Sequence, residues 1–261
     1  MKLLVCVKRV TATGSKIVLT ADNQDIDTRY LGFTISPHEE CAVEEAVRII
    51  EAQGGSSTVL TLGPEAAAEQ LRDAMALGID NGILLETDGR DWDAGATAGA
   101  IIEAIRQKEA DGKPFDLILF GNESADSGGF QVGIRVAHAL DRPCITGIKE
   151  LNLTATPATG GQLTAAREAG GGREIYQLSL PAVVTVKEGL NLPRYPSLPG
   201  RLKAKKKPLE RIQPRWPGNA LEKIRLKLPS EAAHQVDVLG RGPAAAARAV
   251  EVFRTLGILE K

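Results

Sequence analysis

The sequence has few of the features that mark secreted, metal-binding or membrane-spanning chains. Its three cysteines, Cys6, Cys41 and Cys144, are odd in number, lie in apolar contexts and show no CxxC or Cys/His spacing. We therefore expect buried thiols in a reducing compartment and no metal centre. No run approaches the roughly 18 apolar residues of a membrane span, and the apolar N-terminal stretch is too short for a signal peptide. The sequence predicts a cytoplasmic chain or a mature protein of the mitochondrial matrix.

An excess of positive charge and a catalytic constellation are lacking as well. The chain has 32 Lys and Arg against 33 Asp and Glu, a formal net charge of -1. This balance gives no general attraction to nucleic acid or to an anionic membrane. His38, His138 and His234 lie far apart in the sequence, and no Ser or Cys is obviously paired with a base. We therefore expect no enzyme chemistry from the side chains themselves.

What the sequence does contain is a strand followed by a helix, four times in the first part of the chain. The predicted strands are residues 3–7, 58–62, 83–86 and 116–120, and the predicted helices are residues 37–53, 65–77, 94–110 and a last one that ends near Leu140. This alternation predicts an α/β fold with a doubly wound, mostly parallel sheet. Ligands of such sheets bind beyond the carboxyl ends of the strands. Residues 6–8, 62–63 and 121–131 could therefore line one crevice.

The most informative of these stretches is the glycine-rich loop GNESADSGGFQVG at residues 121–133. A loop between a strand and a helix leaves unpaired N–H groups of the first helical turn for a phosphate or pyrophosphate, with the positive end of the helix dipole behind them. Gly128, Gly129 and Gly133 would let the backbone approach a ligand. The alternative is an ordinary turn in which Asp126 or Ser127 caps the helix.

The first helix is predicted from Ser36 as its N-cap and Pro37 as its first residue, with glycines at 54–55 ending it. Four acidic residues load its early turns: Glu39, Glu40, Glu44 and Glu45. We expect them to be solvated and to support the helix dipole. Residues 17–26, between the first strand and this helix, read as a small hairpin.

After Pro143 the pattern changes. Residues 151–154, 162–167, 174–179 and 182–187 are predicted to be strands of an antiparallel addition, the last returning to the main sheet. Three prolines and two glycines predict that residues 189–200 form a long exposed loop. Five positive charges follow at 201–207, which indicate a solvated face or an acidic partner. Beyond Pro208 we expect irregular chain and a final helix over 243–256, together forming an arm along a partner subunit.

Five motifs follow one another along the chain: VCVKRV at 5–10, AVEEAV at 42–47, Asp126 with QVG at 131–133, LPAVVT at 180–185, and PRYPSLP at 193–199 followed by KAKKK at 203–207. In this order and spacing the chain resembles the β subunit of electron transfer flavoprotein. The resemblance covers residues 1 to 212, and the last motif is the most specific. It implies a fold similar to the adenine-nucleotide α-hydrolases. We expect an α/β domain at 1–190, a partner-recognition loop with a basic segment at 191–210, and a C-terminal arm at 211–261 packing on an α subunit.

Members of that family form a heterodimer of an α and a β subunit with one redox-active FAD, held mainly by the α subunit, and the β subunit buries an AMP. The resemblance implies an electron carrier of fatty acid oxidation. It would take electrons from acyl-CoA dehydrogenases and related dehydrogenases and pass them to a membrane quinone oxidoreductase. Electron-bifurcating relatives hold a second FAD in place of AMP. The alternative from another class is a flavin-free adenine-nucleotide-binding regulatory protein of the stress-protein type.

The resemblance also implies which residues carry these roles. The expected nucleotide contacts are Cys6, Ser36, Pro37, His38, Glu39, Leu62, Asp126, Ser127, Gly128, Gly129, Phe130, Gln131, Val132, Gly133 and Ala137. In the family a leucine of the proline-rich loop inserts into acyl-CoA dehydrogenases, and Leu198 occupies that position. The expected docking residues are Arg194, Tyr195, Leu198, Lys203, Lys205 and Lys206. We expect the prolines to keep this loop extended with Leu198 at its tip, and Arg194 and the lysines to steer an acidic partner.

Overall fold

The computed structural model of the protein describes residues 1–12, 14, 16–154, 161–229 and 237–259. The chain divides into two compact units. The first comprises Met1–Val18 and Ile26–Ile224, and the second comprises Leu19–Asp25 and Arg225–Lys261. None of the described helices combines the length and the apolar character needed to cross a membrane.

The first unit contains all the described strands. They are β1 (Lys2–Cys6), β2 (Val10–Thr11), β3 (Phe33–Thr34), β4 (Ser56–Gly63), β5 (Asn81–Glu86), β6 (Leu117–Gly121), β7 (Cys144–Ile148), β8 (Glu150–Thr154), β9 (Gln162–Ala169), β10 (Gly172–Ser179), β11 (Ala182–Val186) and β12 (Leu209–Ile212). Its helices are α1 (Pro37–Gln53), α2 (Ala68–Leu77), α3 (Ala94–Lys108), α4 (Val132–Ala139) and α5 (Leu198–Ala204), with a 3₁₀ turn at Glu65–Ala67. The second unit contains a 3₁₀ turn at Gly242–Ala245 and helix α6 (Ala246–Thr255).

Seven of the described strands form one parallel sheet in the order β12-β5-β4-β1-β6-β11-β7, which confirms the predicted α/β class. The apolar runs of β1, β6 and β11 are buried on both faces, as in other parallel sheets. Helices α1 and α2 pack on one face, and α3 and α4 pack on the other. The chain moves outward from β1 to β4 and β5 and then resumes at β6 on the other side of β1. Its direction across the sheet therefore reverses between β1 and β6.

The predicted antiparallel addition is confirmed: β8, β9 and β10 form a three-stranded sheet with Leu151 and Tyr176 both opposite Ala165. Strand β11 returns to the main sheet, as expected. Strand β7 was missed because Gly147, with φ +69°, and a register shift against β11 interrupt its pattern. At its start Cys144 is exposed, so the expectation of a buried thiol is wrong for this cysteine, whereas Cys6 and Cys41 are buried.

Strand β12 corrects the prediction that the chain is irregular beyond Pro208. Its Leu209 lies opposite Gly82 and its Ile212 opposite Leu85, so β12 is the edge strand next to β5. A Cβ added at Gly82 would lie 2.8 Å from Leu209 Cδ1, and the glycine therefore lets the edge strand pack closely. This strand extends the predicted α/β domain beyond residue 190.

Helix α1 has many buried residues, whereas helix α6 near the C-terminus has none. Helix α1 begins with Ser36 and Pro37 in the predicted roles, with Glu39 completing a capping box. The predicted small hairpin at 17–26 is present, and in it Thr20 N donates to Asp25 O at 2.8 Å. The predicted final helix is present as α6, and it has no buried residue.

Candidate functional site

A cavity of about 470 Å³ opens at the carboxyl ends of β1, β4, β5 and β6. It lies beside the point where the chain direction reverses, which is where open α/β sheets bind ligands. Its volume is typical of small-molecule sites, which enclose roughly 300–1,000 Å³. Residues 6–8, 62–63 and 121–131 contribute to its walls, together with the segments that follow β5 and precede β3.

The cavity brings together most of the residues expected to bind a nucleotide. Its lining includes Cys6, Glu39, Leu62, Asp126, Ser127, Gly129, Phe130, Gln131, Val132 and Gly133, but not Ser36, Pro37, His38, Gly128 or Ala137. Ser36 caps α1 and also donates from Oγ to Glu123 O at 3.3 Å. Ala137 is buried against the sheet on α4. Ser36 and Ala137 therefore support the cavity wall from behind.

The glycine-rich loop ends in a helix without a side-chain cap. The N-cap of α4 is Gln131, and its side chain makes no capping hydrogen bond, so neither Asp126 nor Ser127 caps the helix. The backbone reaches this point through Gly128 at φ +54° and Phe130 at φ +55°, the latter uncommon for a residue with a side chain. Val132 and Gly133, the first two residues of α4, line the cavity, and their N–H groups have no side-chain acceptor among the described residues.

Gly133 is needed for α4 to approach the sheet. A Cβ at this position would lie 3.0 Å from Thr185 Cγ2 and 3.2 Å from the Phe120 ring. With a larger residue, Thr185, the Phe120 ring or the first turn of α4 would have to shift by a few tenths of an ångström. The glycine therefore sets the position of the N–H groups at the cavity wall.

Asp126 forms an ion pair at this wall instead of a cap. Its carboxylate accepts from Lys8 Nζ at 2.7 Å and from Ser127 N at 2.7 Å. Burial opposes ionisation, but the Lys8 charge and the hydrogen bonds outweigh it and lower the pKa of Asp126. The carboxylate is thus ionised, and it ties the glycine-rich loop to the end of β1.

Glu39 joins β1 to the beginning of α1. Its buried carboxyl group accepts from Lys8 N and from Ser36 N, each at 2.9 Å. The pKa of Glu39 is raised from 4.5 to about 8. Burial is the largest cause, and the hydrogen bonds from Ser36 and Lys8 offset part of its effect. Gly121 makes room for this side chain, because a Cβ there would lie 2.6 Å from Glu39 Cγ. Burial and the neighbouring Glu39 together raise the pKa of the Cys6 thiol, so Cys6 lines the cavity as an uncharged side chain.

The expectation that the α1 acids are solvated is wrong for three of the four, since Glu39, Glu44 and Glu45 are buried.

His38, at the start of α1, makes two contacts within the chain. Its Nδ1 accepts from Glu188 N at 2.9 Å, which leaves the Nε2 proton to face Glu123 Oε1 at 3.3 Å.

Sequence reasoning missed the end of the cavity beyond β4. Arg9 and Trp92 line it, and Arg9 Nε and Trp92 Nε1 are buried with no hydrogen-bond partner among the described residues. The guanidinium of Arg9 lies 3.2 Å from the centre of the Phe33 ring, and burial lowers its pKa. Buried donors are ordinarily paired. The signal for Arg9 was its place in the VCVKRV motif, whereas nothing in the sequence around Trp92 marked it.

The second predicted site is the docking segment, the partner-recognition loop and basic segment at residues 191–210. The expectation of an extended loop up to residue 200 is wrong, because α5 begins at Leu198 with Ser197 as its N-cap. Proline is tolerated in the first turn of a helix, so Pro199 does not prevent it. The side chains of Tyr195 and Leu198 are nevertheless 95% and 72% exposed.

The charged residues of the docking segment divide into two groups. Lys203, Lys205 and Lys206 are exposed. Arg194 is bound to two carboxylates of α1, with Nε 2.9 Å from Glu44 Oε2 and Nη1 2.6 Å from Glu51 Oε1. The charge of Arg194 is therefore paired within the chain, and its role in steering a partner stays a prediction.

Comparisons with known proteins agree on one family. Residues 25–215 match the protein-family model described as the electron transfer flavoprotein domain. The chain is 41% identical over 216 residues to electron transfer flavoprotein subunit beta of Bacillus subtilis (strain 168), an alignment that covers 82% of this chain and 79% of that protein. It is 39% identical to the subunit of the same name from Syntrophomonas wolfei, covering 80% and 78%. Identity to the human subunit is 35%, with 82% of each chain covered.

Proposed function

The chain belongs to the electron transfer flavoprotein family as a β subunit, and we propose that it forms a heterodimer with an α subunit that shares one FAD. The flavin would supply the redox chemistry, and this chain would contribute a binding surface, a structural nucleotide site and a docking segment. The second unit supports the heterodimer. No residue of α6 is buried, and its apolar side chains Val250 and Phe253, with Leu256 beyond it, are exposed. An exposed apolar patch of this kind is typical of a protein interface.

The observation that carries the nucleotide proposal is a set of hydrogen-bond donors without acceptors in one cavity. The first turn of α4 lacks a cap, and Arg9 Nε and Trp92 Nε1 are unpartnered. A phosphate is the acceptor that a helix N-terminus favours. We infer an adenine nucleotide, AMP, with its phosphate at the N–H groups around Gly128 to Gln131. The nucleotide takes no part in electron transfer and holds β1, β6 and α4 in place.

One observation favours a second FAD as the alternative ligand. The cavity continues past β4 to Arg90 and Trp92 after β5, and to Phe33 on β3. A dinucleotide would use this additional length, and the unpartnered donors of Arg9 and Trp92 lie in that part. The nucleotide content of the heterodimer separates the two ligands.

The docking segment supports the proposal that dehydrogenases of the acyl-CoA type are the electron donors. Leu198 and Tyr195 are apolar or amphipathic, exposed and close in sequence to three exposed lysines. An apolar contact with a basic surround suits a partner pocket bordered by acidic groups. A membrane quinone oxidoreductase is the proposed acceptor.

The decisive experiment is purification of the chain together with its α subunit. We expect a yellow complex with one FAD when AMP is the nucleotide, and loss of the flavin colour when an acyl-CoA dehydrogenase and its substrate are added. A stable complex that is colourless would contradict the carrier function. It would favour a flavin-free regulatory protein of the stress-protein type.

A further inference from the structure

Helix α1 holds the docking segment through acidic side chains that are buried or half covered. The Glu44 carboxylate accepts from the Arg194 backbone N at 3.1 Å and from Nη2 at 3.0 Å, in addition to Nε. Glu51, two turns later, accepts from Nη1 and Nη2 at 2.6 and 2.9 Å. Arg194 therefore pairs its guanidinium with two carboxylates, Glu44 through Nε and Nη2 and Glu51 through Nη1 and Nη2, in the bidentate geometry that makes arginine–carboxylate pairs strong.

A second attachment lies three residues earlier. Asn191 Nδ2 donates to Cys41 O at 3.0 Å and to Glu45 Oε2 at 2.9 Å. Between these two fixed residues Leu192 is 91% exposed. Leu192 is therefore held in an exposed position by the hydrogen bonds of Asn191 and Arg194 to α1.

The other end of the segment is fixed to α2. Arg72 Nη1 donates to Ala204 O at 2.6 Å and to Lys207 O at 2.8 Å. Gly200 brings α5 so close to α2 that an added Cβ would lie 2.5 Å from Ala76 O. Leu198 thus lies between Arg194 and Gly200, two positions that cannot shift independently of the helices beneath them.

We propose that Glu44 is a positioning residue for partner docking: with Glu45 and Glu51 it holds the segment so that Leu192 and Leu198 form a preformed, two-point apolar contact for the dehydrogenase. This inference rests on the proposed docking function. A surface leucine contributes more to binding when its backbone is ordered beforehand, because less conformational entropy is lost on association. Leu192 has a role here that its position outside the PRYPSLP motif would not indicate.

The test compares Glu44→Gln, Leu198→Ala and the double variant in the complete flavin-containing heterodimer. Stopped-flow reduction by an acyl-CoA dehydrogenase, titrated over dehydrogenase concentration, gives the apparent affinity and the limiting rate. We expect Glu44→Gln to weaken the affinity roughly fivefold at an unchanged limiting rate, by the loss of pre-organisation. In the Leu198→Ala background its effect should shrink to less than about twofold, because the two residues act through one contact.

Glu109→Gln is the matched control. Glu109 accepts from Arg142 Nη2 at 2.8 Å through both carboxylate oxygens, and both residues are half-buried on the other face of the sheet, so the variant makes the same change in charge at an arginine-paired carboxylate. We expect it to keep wild-type affinity. If Glu44→Gln folds poorly, Glu51→Gln breaks the exposed half of the same attachment and should weaken affinity in the same direction. Leu192→Ala should also weaken it.

Two failures are distinguishable. Wild-type affinity in Glu44→Gln and Glu51→Gln beside weakened affinity in Leu198→Ala would overturn the positioning role and leave docking intact. Wild-type affinity in Leu198→Ala would overturn docking itself and this inference with it. An equal loss in Glu44→Gln and Glu109→Gln, or an undiminished loss in the double variant, would also overturn positioning and assign Glu44 to general stability.

Discussion

The cavity and the docking segment are both attached to α1, yet they leave opposite kinds of group without partners. The cavity, which Glu39 at the start of α1 helps to line, contains two buried donors, Arg9 Nε and Trp92 Nε1, that have no acceptor among the described residues. Along the middle of α1, the docking segment pairs its arginine with two carboxylates and leaves Leu192, Tyr195 and Leu198 exposed. Buried polar groups are ordinarily paired, and large apolar side chains in one patch are ordinarily covered. The unpaired donors of the cavity therefore indicate a ligand with hydrogen-bond acceptors, and the exposed side chains of the docking segment indicate an apolar partner surface.

This difference shows that charge in a sequence does not by itself locate recognition. Arg194 belongs to the basic, proline-rich stretch, but its charge is used within the chain. Arg9 follows the first strand in the VCVKRV motif, and its Nε is buried with no hydrogen-bond partner among the described residues. The position of the partner carboxylates decides between the two roles.

The largest expected effect concerns Glu39, at the cavity. Its pKa is raised from 4.5 to about 8 in the folded chain, so the folded state keeps a proton that the unfolded state loses between these values. Stability should therefore fall as pH rises through this window, with a slope of up to about 1.4 kcal/mol per pH unit from this group. Urea unfolding of wild type and Glu39→Gln across the window measures the effect. An unchanged slope in the variant would show that Glu39 is already ionised on its two backbone donors.

The next largest effect tests the uncovered apolar side of the comparison. Leu198→Ala removes roughly 1.5–3 kcal/mol of burial available in a partner pocket, which corresponds to a loss of roughly tenfold or more in dehydrogenase binding. Flavin content, nucleotide content and thermal unfolding should stay at wild-type values. Ile175→Ala on β10, with 68% exposure against 72% for Leu198, is the matched control and should bind normally. If Leu198→Ala bound the dehydrogenase as tightly as Ile175→Ala does, Leu198 would be an ordinary surface leucine.

A smaller effect tests the unpartnered donors. Trp92→Phe keeps an aromatic ring and removes only the Nε1–H group, so affinity for a ligand that extends to this end of the cavity, such as FAD, should fall roughly threefold to tenfold, the value of one hydrogen bond. Trp216→Phe is the control, because that ring packs against Arg90 at 4.3 Å and does not line the cavity. Equilibrium dialysis of the heterodimer against labelled nucleotide measures both. Equal affinities would place the ligand away from Trp92.

The smallest effect belongs to the exposed lysines. Lys205→Gln with Lys206→Gln should lower the association rate with the dehydrogenase by roughly twofold to threefold at low salt, because rim charges act by long-range steering. The rate should also depend less on ionic strength than in wild type. Stopped-flow measurements over a range of salt concentrations test this. A salt dependence equal to that of wild type would exclude steering by these two residues.

Local signals in the sequence predicted most of the fold. The apolar runs of β1, β4, β5 and β6 and the Ser36-Pro37 start of α1 depend on neighbouring residues alone, and the structure confirms them. Strand β12 was missed because Glu210 and Arg211 give it a polar character, whereas pairing with β5 decides its conformation. Parallel pairing joins residues far apart in the chain, and no local pattern carries that information.

The site could be predicted only in part for the same reason. The ends of the parallel strands located the cavity, since their meeting follows from the fold class. Glu44 was expected to be solvated because its partner Arg194 lies 150 residues later. The unpaired donor of Trp92 is likewise a property of the folded environment. Such residues become recognisable only when the hydrogen bonds of the whole chain are assigned.

The measurement that tests the central claim most directly is the nucleotide content of the purified heterodimer. Denaturation followed by chromatography should release one FAD and one AMP per heterodimer, the AMP coming from the cavity at β1 and β6. Release of two FAD would make the longer ligand, seated towards Arg9 and Trp92, the correct one. Release of FAD with no second nucleotide would contradict the account of the cavity.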